Sequence, residues 1–151
     1  MEELLSLNIN GKMQSLRIDP QTPLLYALRN NLELNGPKYG CGEGYCGSCM
    51  VLMNGKAVAS CRITCAQAGK AEIITLEGLR TAGGLHPVQQ AFIDKQAAQC
   101  GYCLNGMVIT AAALYQQNKK PSDTQIKAAM QPVLCRCGTY GRVMEAIKSL
   151  I

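Results

Sequence analysis

The chain has 151 residues, 48% of them hydrophobic and 17% charged, with a formal net charge of +5 and nine cysteines. This balance excludes a disordered chain, and the longest mainly apolar run, Met107 to Tyr115, is far short of the ~20 residues that cross a bilayer. An odd cysteine number excludes a complete set of internal disulfides, and the N-terminus shows no basic segment followed by an apolar core that would mark a signal peptide.

Taken in chain order, the first half reads as strands with one short helix. Leu5, Leu7 and Ile9 alternate as in a half-buried strand, Asn10-Gly11 predicts a type I′ hairpin turn, and Met13, Leu16 and Ile18 continue as a second apolar strand. Thr22-Pro23 predicts an N-cap with proline at the first helical position, followed by Leu24, Leu25, Leu28 and Leu32 at helical spacing. Met50–Met53 and Lys56–Ala59 flank Asn54-Gly55 as a second hairpin, and Ile73–Leu76 is a last strand. A small mixed sheet with one helix packed on it is expected. Glu77 to Gly84 is rich in turn formers and predicts a linker. The second half predicts four helices. One opens at His86-Pro87, one runs from Leu104 to Gln117, one is capped by Ser122, and one covers Arg142 to Leu150. Short loops would then bring Cys100-Cys103 and Cys135-Cys137 to one end of a small bundle.

The cysteines fall into two groups separated by a gap from Cys65 to Cys100. In Lys38-Tyr39-Gly40-Cys41-Gly42-Glu43-Gly44-Tyr45-Cys46-Gly47-Ser48-Cys49 the spacing is C-x4-C-x2-C, with Cys61 after eleven more residues. This is the plant-type spacing for a [2Fe–2S] cluster. Glycines let such a loop curl tightly and point amides at the sulfurs. Zinc is the alternative, although it usually takes paired knuckles, whereas three of these cysteines crowd into one loop. Cys65 has no assigned partner and reads as a free, buried thiol. The second group joins Cys100-Gly101-Tyr102-Cys103 to Cys135-Arg136-Cys137, and here a four-thiolate zinc site stands beside a second cluster as a reading of the spacing.

Together, G-C-G-x-G-x-C-G-x-C, Q-C-G-x-C and C-R-C resemble the iron–sulfur subunit of the xanthine oxidase family of molybdenum hydroxylases, over nearly the whole chain. The resemblance implies an α+β architecture: a β-grasp, plant-type ferredoxin domain over 1–77, a linker over 78–85, and a helical four-helix domain over 86–151. It implies two [2Fe–2S] clusters, one held by Cys41, Cys46, Cys49 and Cys61 and one by Cys100, Cys103, Cys135 and Cys137. The molybdopterin, as its cytosine dinucleotide, would belong to a large catalytic subunit, with Gln99 and Cys137 contacting it from this chain. Electrons from aldehyde or N-heterocycle oxidation would leave one at a time towards a cytochrome c or flavin subunit. A free-standing [2Fe–2S] ferredoxin is the alternative, but it leaves the helical half without a purpose. A zinc-stabilised binding module is a further one. Many family members read C-R-C-T-G-Y where this chain reads Cys135-Arg136-Cys137-Gly138-Thr139-Tyr140, a form more like stand-alone bacterial small subunits.

Several residues carry plainer expectations. Arg136, between two ligands, is expected to be structural, Lys38 a solvated charge, and His86 a cap. Neither catalysis nor a membrane span is expected of this chain. It would be cytoplasmic, or periplasmic if exported with a signal-bearing partner. Eight thiolates and two oxidised cores of about +4 together bring the formal +5 to about +1, as 5 − 8 + 4. The basic excess therefore gives no support to a nucleic-acid partner.

Overall fold

The computed structural model describes residues 1–151. Strands β1 (Glu3–Ile9) and β2 (Lys12–Ile18) form a hairpin, β3 (Met50–Met53) and β4 (Lys56–Ala59) form another, and β5 (Glu72–Ile74) lies between them. The sheet order is β2-β1-β5-β3-β4, with β1 and β5 parallel and the other pairs antiparallel. Both hairpins turn on an Asn-Gly pair with positive φ, 53° and 75° at Asn10-Gly11 and 50° and 77° at Asn54-Gly55, as a type I′ turn demands.

Sheet register decides which side chains are buried. Leu7 and Ile9 of β1 face the core with Ile18 of β2. Met13 pairs with Asn8 and has the opposite parity to Leu16 and Ile18, so it is 63% exposed and not part of the expected apolar face. Helix α1 (Leu24–Tyr26) passes into a wider π-turn over Ala27–Asn31, and its N-cap is Pro23, not Thr22. The Thr22 carbonyl instead accepts from Cys65 N at 2.9 Å, tying α1 to helix α2 (Cys65–Ala68), which the sequence pattern did not announce. A reciprocal Thr64–Gln67 capping box starts α2.

The last strand ends at Ile74, because the next amide, Thr75 N, donates to Asn10 Oδ1 at 2.9 Å and leaves the ladder. Glu77 then takes the Gly36 amide on Oε1 at 2.6 Å and the Thr75 hydroxyl on Oε2 at 2.6 Å. The chain expected as a linker is therefore ordered at its start. Glu77–Leu79 is a 3-10 turn, Leu79 is buried, and a Cβ on Gly78 would lie 1.9 Å from Asn10 Oδ1.

Helices α3 (Pro87–Asp94), α4 (Leu104–Gln117), α5 (Asp123–Met130) and α6 (Tyr140–Lys148) form the bundle, α6 starting two residues before the expected Arg142. His86 caps α3 through Nδ1, which accepts from Val88 N at 3.2 Å, and Ser122 caps α5. Helix α4 is buried from Asn105 to Ala113, because α3 and α5 flank it and strands β3 and β4 lie against it. Strand β3 thus serves two cores. Val51 packs into the core under α1 and α2, while Met50 and Leu52 pack with Met107, Val108, Ile109 and Phe92 in the larger core. The two halves are joined through the faces of one strand.

Candidate metal centres

Residues 38–49 wrap around their own thiols. Positive φ at Gly42, Gly44 and Gly47 (72°, 83° and 74°) turns successive amides inward. Glu43 N and Tyr45 N each donate to Cys41 Sγ at 3.3 Å, Cys46 N donates to Cys41 Sγ at 3.4 Å, and Cys41 N donates to Cys46 Sγ at 3.4 Å. A Cβ on Gly40 would lie 2.6 Å from Cys46 Sγ, so the loop closes only on a glycine there. Burial pushes the Cys41 thiol up, but the amides of Glu43, Cys46 and Tyr45 outweigh it and hold it at about 7. Cys61 arrives on the 3-10 turn Ser60–Arg62 beside Cys49, where burial and then the neighbouring Cys49 thiol raise it to about 11. Ser60 fixes this approach, its hydroxyl donating to the Cys49 carbonyl at 2.7 Å.

The second group meets at one end of the bundle, as short loops between antiparallel helices allow. A small cavity there is lined by Cys100, Cys103, Cys135 and Cys137 together with Gln99, Leu104, Met107 and Thr139. The Tyr102 amide and the Cys137 thiol lower the pKa of Cys100. Burial and the Cys135 thiol raise Cys103 to about 12. Burial opposes ionisation of Cys135 too, but hydrogen bonds from Thr139, whose Oγ1 lies 3.3 Å from Sγ, bring it to about 7. Cys135 N donates to Tyr140 Oη at 3.2 Å, and that hydroxyl donates in turn to the Val133 carbonyl.

The thiols fall in twos: Cys41 with Cys46, Cys49 with Cys61, Cys100 with Cys137, and Cys103 with Cys135. A [2Fe–2S] core takes two thiolates per iron, so this donor set, with its inward amides and the glycine cradle at Cys46, fits a binuclear core better than a zinc ion. All nine cysteines are free of disulfides. Cys65 lies away from both groups in the core beneath β1 and α1, and burial raises it to about 11.

Other expected residues sort differently. Gln99 is exposed at the edge of the cavity formed by the second cysteine group. Arg136 is exposed as well; the structural part falls to Thr139 and Tyr140. Lys38 Nζ is held by the Asn35 carbonyl at 2.8 Å. The residues that sequence reasoning missed join the two groups. Leu134 N donates to the Cys46 carbonyl at 3.0 Å, directly before Cys135. Tyr102 Oη donates to the Tyr39 carbonyl, and Asn105 Nδ2 donates to the carbonyls of Ser48 and Met50 at 2.9 Å each. Gly106 lets the first loop rest on α4, since a Cβ there would lie 2.2 Å from Gly47 O, and Gly47 lets the loop approach the segment before Cys135, since a Cβ there would lie 2.7 Å from Pro132 O. The only sequence signal for this contact was a glycine inside an otherwise helical run.

Two family descriptions match. Residues 7–75 match the 2Fe-2S iron-sulfur cluster binding domain, and residues 75–148 match the [2Fe-2S] binding domain. The chain is 52% identical over 148 residues to one of the nicotinate dehydrogenase subunits of Pseudomonas putida, covering 98% of this chain and 94% of that one. It is 44% identical over 140 residues to the alpha chain of isoquinoline 1-oxidoreductase of Brevundimonas diminuta, covering 92% and 91%. Among solved structures, quinoline 2-oxidoreductase from Pseudomonas putida 86 superposes with a TM-score of 0.91 at 37% identity, over 97% of this chain and 90% of that one. Aldehyde oxidoreductase from Desulfovibrio desulfuricans superposes equally well, TM-score 0.91 at 36% identity, but this chain spans only 17% of it. With both cluster-binding domains present and whole-length relatives of this kind, the chain belongs to the electron-transfer iron–sulfur subunits, with two [2Fe–2S] domains, of the xanthine oxidase family of molybdenum oxidoreductases.

Proposed function

We propose that Cys41, Cys46, Cys49 and Cys61 hold an outer [2Fe–2S] cluster within residues 1–77. Cys100, Cys103, Cys135 and Cys137 hold an inner one within 86–151, after a connection over 78–85. When bound, the clusters supply one-electron chemistry between the molybdopterin of a large partner chain, in its cytosine dinucleotide form, and an acceptor chain carrying cytochrome c or flavin. The partner chain oxidises an N-heterocyclic substrate, a reading supported by the nicotinate and isoquinoline enzymes among the relatives. Gln99 and Cys137, at the inner cavity, face that chain's cofactor.

The observation that carries this reading is the hydrogen bond from Leu134 N to the Cys46 carbonyl at 3.0 Å. It links an outer-group cysteine to the residue preceding an inner-group cysteine, so the two ligand loops are in direct backbone contact. The residues of this chain hold thiolates, orient amides towards them and keep the two loops in register. No helix here is long and apolar enough to cross a membrane, and the compartment follows the partner chains, cytoplasmic or, where one carries an export signal, periplasmic.

The test is purification of the complex from a strain carrying a tagged copy of this chain. Four irons and four acid-labile sulfides per chain are expected, with a molybdenum-containing large chain alongside. Two irons per chain would refute the two-cluster assignment, and a cluster-loaded chain that never co-purifies with a molybdenum protein would refute the partnership. Haem or flavin in the same fraction identifies the acceptor.

A further inference from the structure

Asn105 is 1% exposed and sits in the first turn of α4, two residues after Cys103. Both of its amide hydrogens go to the other ligand loop, to the carbonyls of Ser48 and Met50 at 2.9 Å each. Those two residues flank Cys49. The Cys49 carbonyl between them accepts from Ser60 Oγ at 2.7 Å, and Ser60 precedes Cys61. Three consecutive carbonyls around one thiol are thus held by two side chains, one from the helical unit and one from the residue beside the neighbouring thiol. Because both neighbours of the amide are carbonyl oxygens, its nitrogen must face them.

The other end of the side chain has nothing. Asn105 Oδ1 is buried without a hydrogen-bond partner. An unpaired buried acceptor is unfavourable, and an apolar side chain of the same size would not carry it. What the amide provides instead is two oriented donors, with partial positive charge, beside the backbone of Cys49. Hydrogen-bond donors near a cluster's thiolates favour its reduced, more negative state.

We propose that Asn105 is a positioning residue for the outer cluster, acting from the helix that begins at the inner one. It fixes Cys49 through the carbonyls on either side, sets the spacing between the two loops and holds the outer cluster's potential up. This rests on the ligand assignment above. It differs from ordinary core packing in what it controls, since a packing role would affect stability alone.

The experiment uses the assembled complex with Asn105→Leu, which keeps the branching at Cγ and removes both donors, and Asn105→Ala, which leaves room for a water to donate in their place. Reductive titration followed by electron paramagnetic resonance reads each cluster's potential, and the magnetic coupling between the two reduced clusters reads their spacing. Asn105→Leu is expected to lower the outer cluster's potential and change the coupling, or to lose the two outer irons, with the inner cluster's signal and potential unchanged. Asn105→Ala is expected to fall between it and the wild type, and this variant carries the test if Asn105→Leu does not accumulate. Wild-type potentials and coupling in the substituted complexes would overturn the proposal, as would a change confined to the inner cluster. A wild-type complex with fewer than four irons per chain would instead overturn the ligand assignment, and that measurement is made first.

Discussion

Gly106→Ala adds one methyl group to the middle of the contact between the two cluster loops, and the structure allows its effect to be worked out. The new Cβ would lie 2.2 Å from Gly47 O, 2.9 Å from Gly47 C and 3.0 Å from Val133 Cγ1. Restoring even a tight 3.0 Å contact requires a retreat of at least 0.8 Å, from 3.0 − 2.2. The first atom in the way is backbone, so no side-chain rotation relieves it. A retreat of that size takes the Asn105–Ser48 bond at 2.9 Å and the Leu134–Cys46 bond at 3.0 Å out of hydrogen-bond range. Overpacking costs roughly 1–3 kcal/mol and each lost bond roughly 0.5–1.5, while alanine returns about 0.8–1 kcal/mol of helix propensity. The net is a destabilisation of roughly 1–5 kcal/mol, a fall of about 2–20 °C in melting temperature for a chain of this length. Gly141→Ala is the internal control. Gly141 is also in a helix but has nothing within 4 Å of its would-be Cβ, so alanine there should stabilise by roughly 0.5–1 kcal/mol. Thermal melting of both variants, followed by circular dichroism with iron content checked before heating, compares them directly. If Gly106→Ala melts at or above the wild type, the loop is not seated on α4 as described.

The spare thiol and the inner-loop tyrosine give two further tests. Burial raises Cys65 from the ordinary value of 9.0 to about 11. A raised acid favours the neutral form in the folded state, so its contribution to stability is complete below pH 9 and is lost as pH rises towards 11. The folded complex should therefore leave Cys65 unalkylated by iodoacetamide at pH 8, and Cys65→Ala should keep all four irons; peptide mapping and iron analysis decide both. Tyr140→Phe removes the hydroxyl that accepts from Cys135 N and donates to the Val133 carbonyl. Because the ring is 37% exposed, water can replace part of this, so the loss should be roughly 0.5–1.5 kcal/mol per bond at most. The spectroscopic change should be confined to the inner cluster, and a change in the outer signal would contradict the assignment of Cys135.

Both cysteine groups were legible in the sequence because their determinants are local. A cysteine loop that must curl within nine residues advertises itself through its spacing and its glycines, and the two Asn-Gly turns set the hairpin registers on the same short scale. What was not legible depends on parity and on packing partners. Met13 looked like a core residue until β2 paired with β1 and put it on the outer face. Thr22-Pro23 had the form of a cap, yet the Thr22 carbonyl was required by Cys65 N, forty-three residues away in sequence (65 − 22). Arg136, fixed in sequence between two thiols, is exposed in the folded chain, an outcome that depends on how the loop bends there.

The two units are joined by more than the connecting segment. A flexible tether would leave the distance between the ligand groups to diffusion, and one-electron relay needs that distance fixed. Here the connection starts with Glu77 bound to Gly36 and Thr75, and its Leu79 is buried in the helical core. The larger tie is β3, whose alternate residues belong to different cores, Val51 to one and Met50 and Leu52 to the other. Cys49 directly precedes this strand, and Asn105 holds the carbonyls on both sides of Cys49. The outer thiols are consequently referenced to the same strand and helix that frame the inner ones. On this account, lengthening the exposed segment at Gly83-Gly84, where an added Cβ meets little or nothing, should leave the relay intact, whereas one methyl group at Gly106 should disturb it.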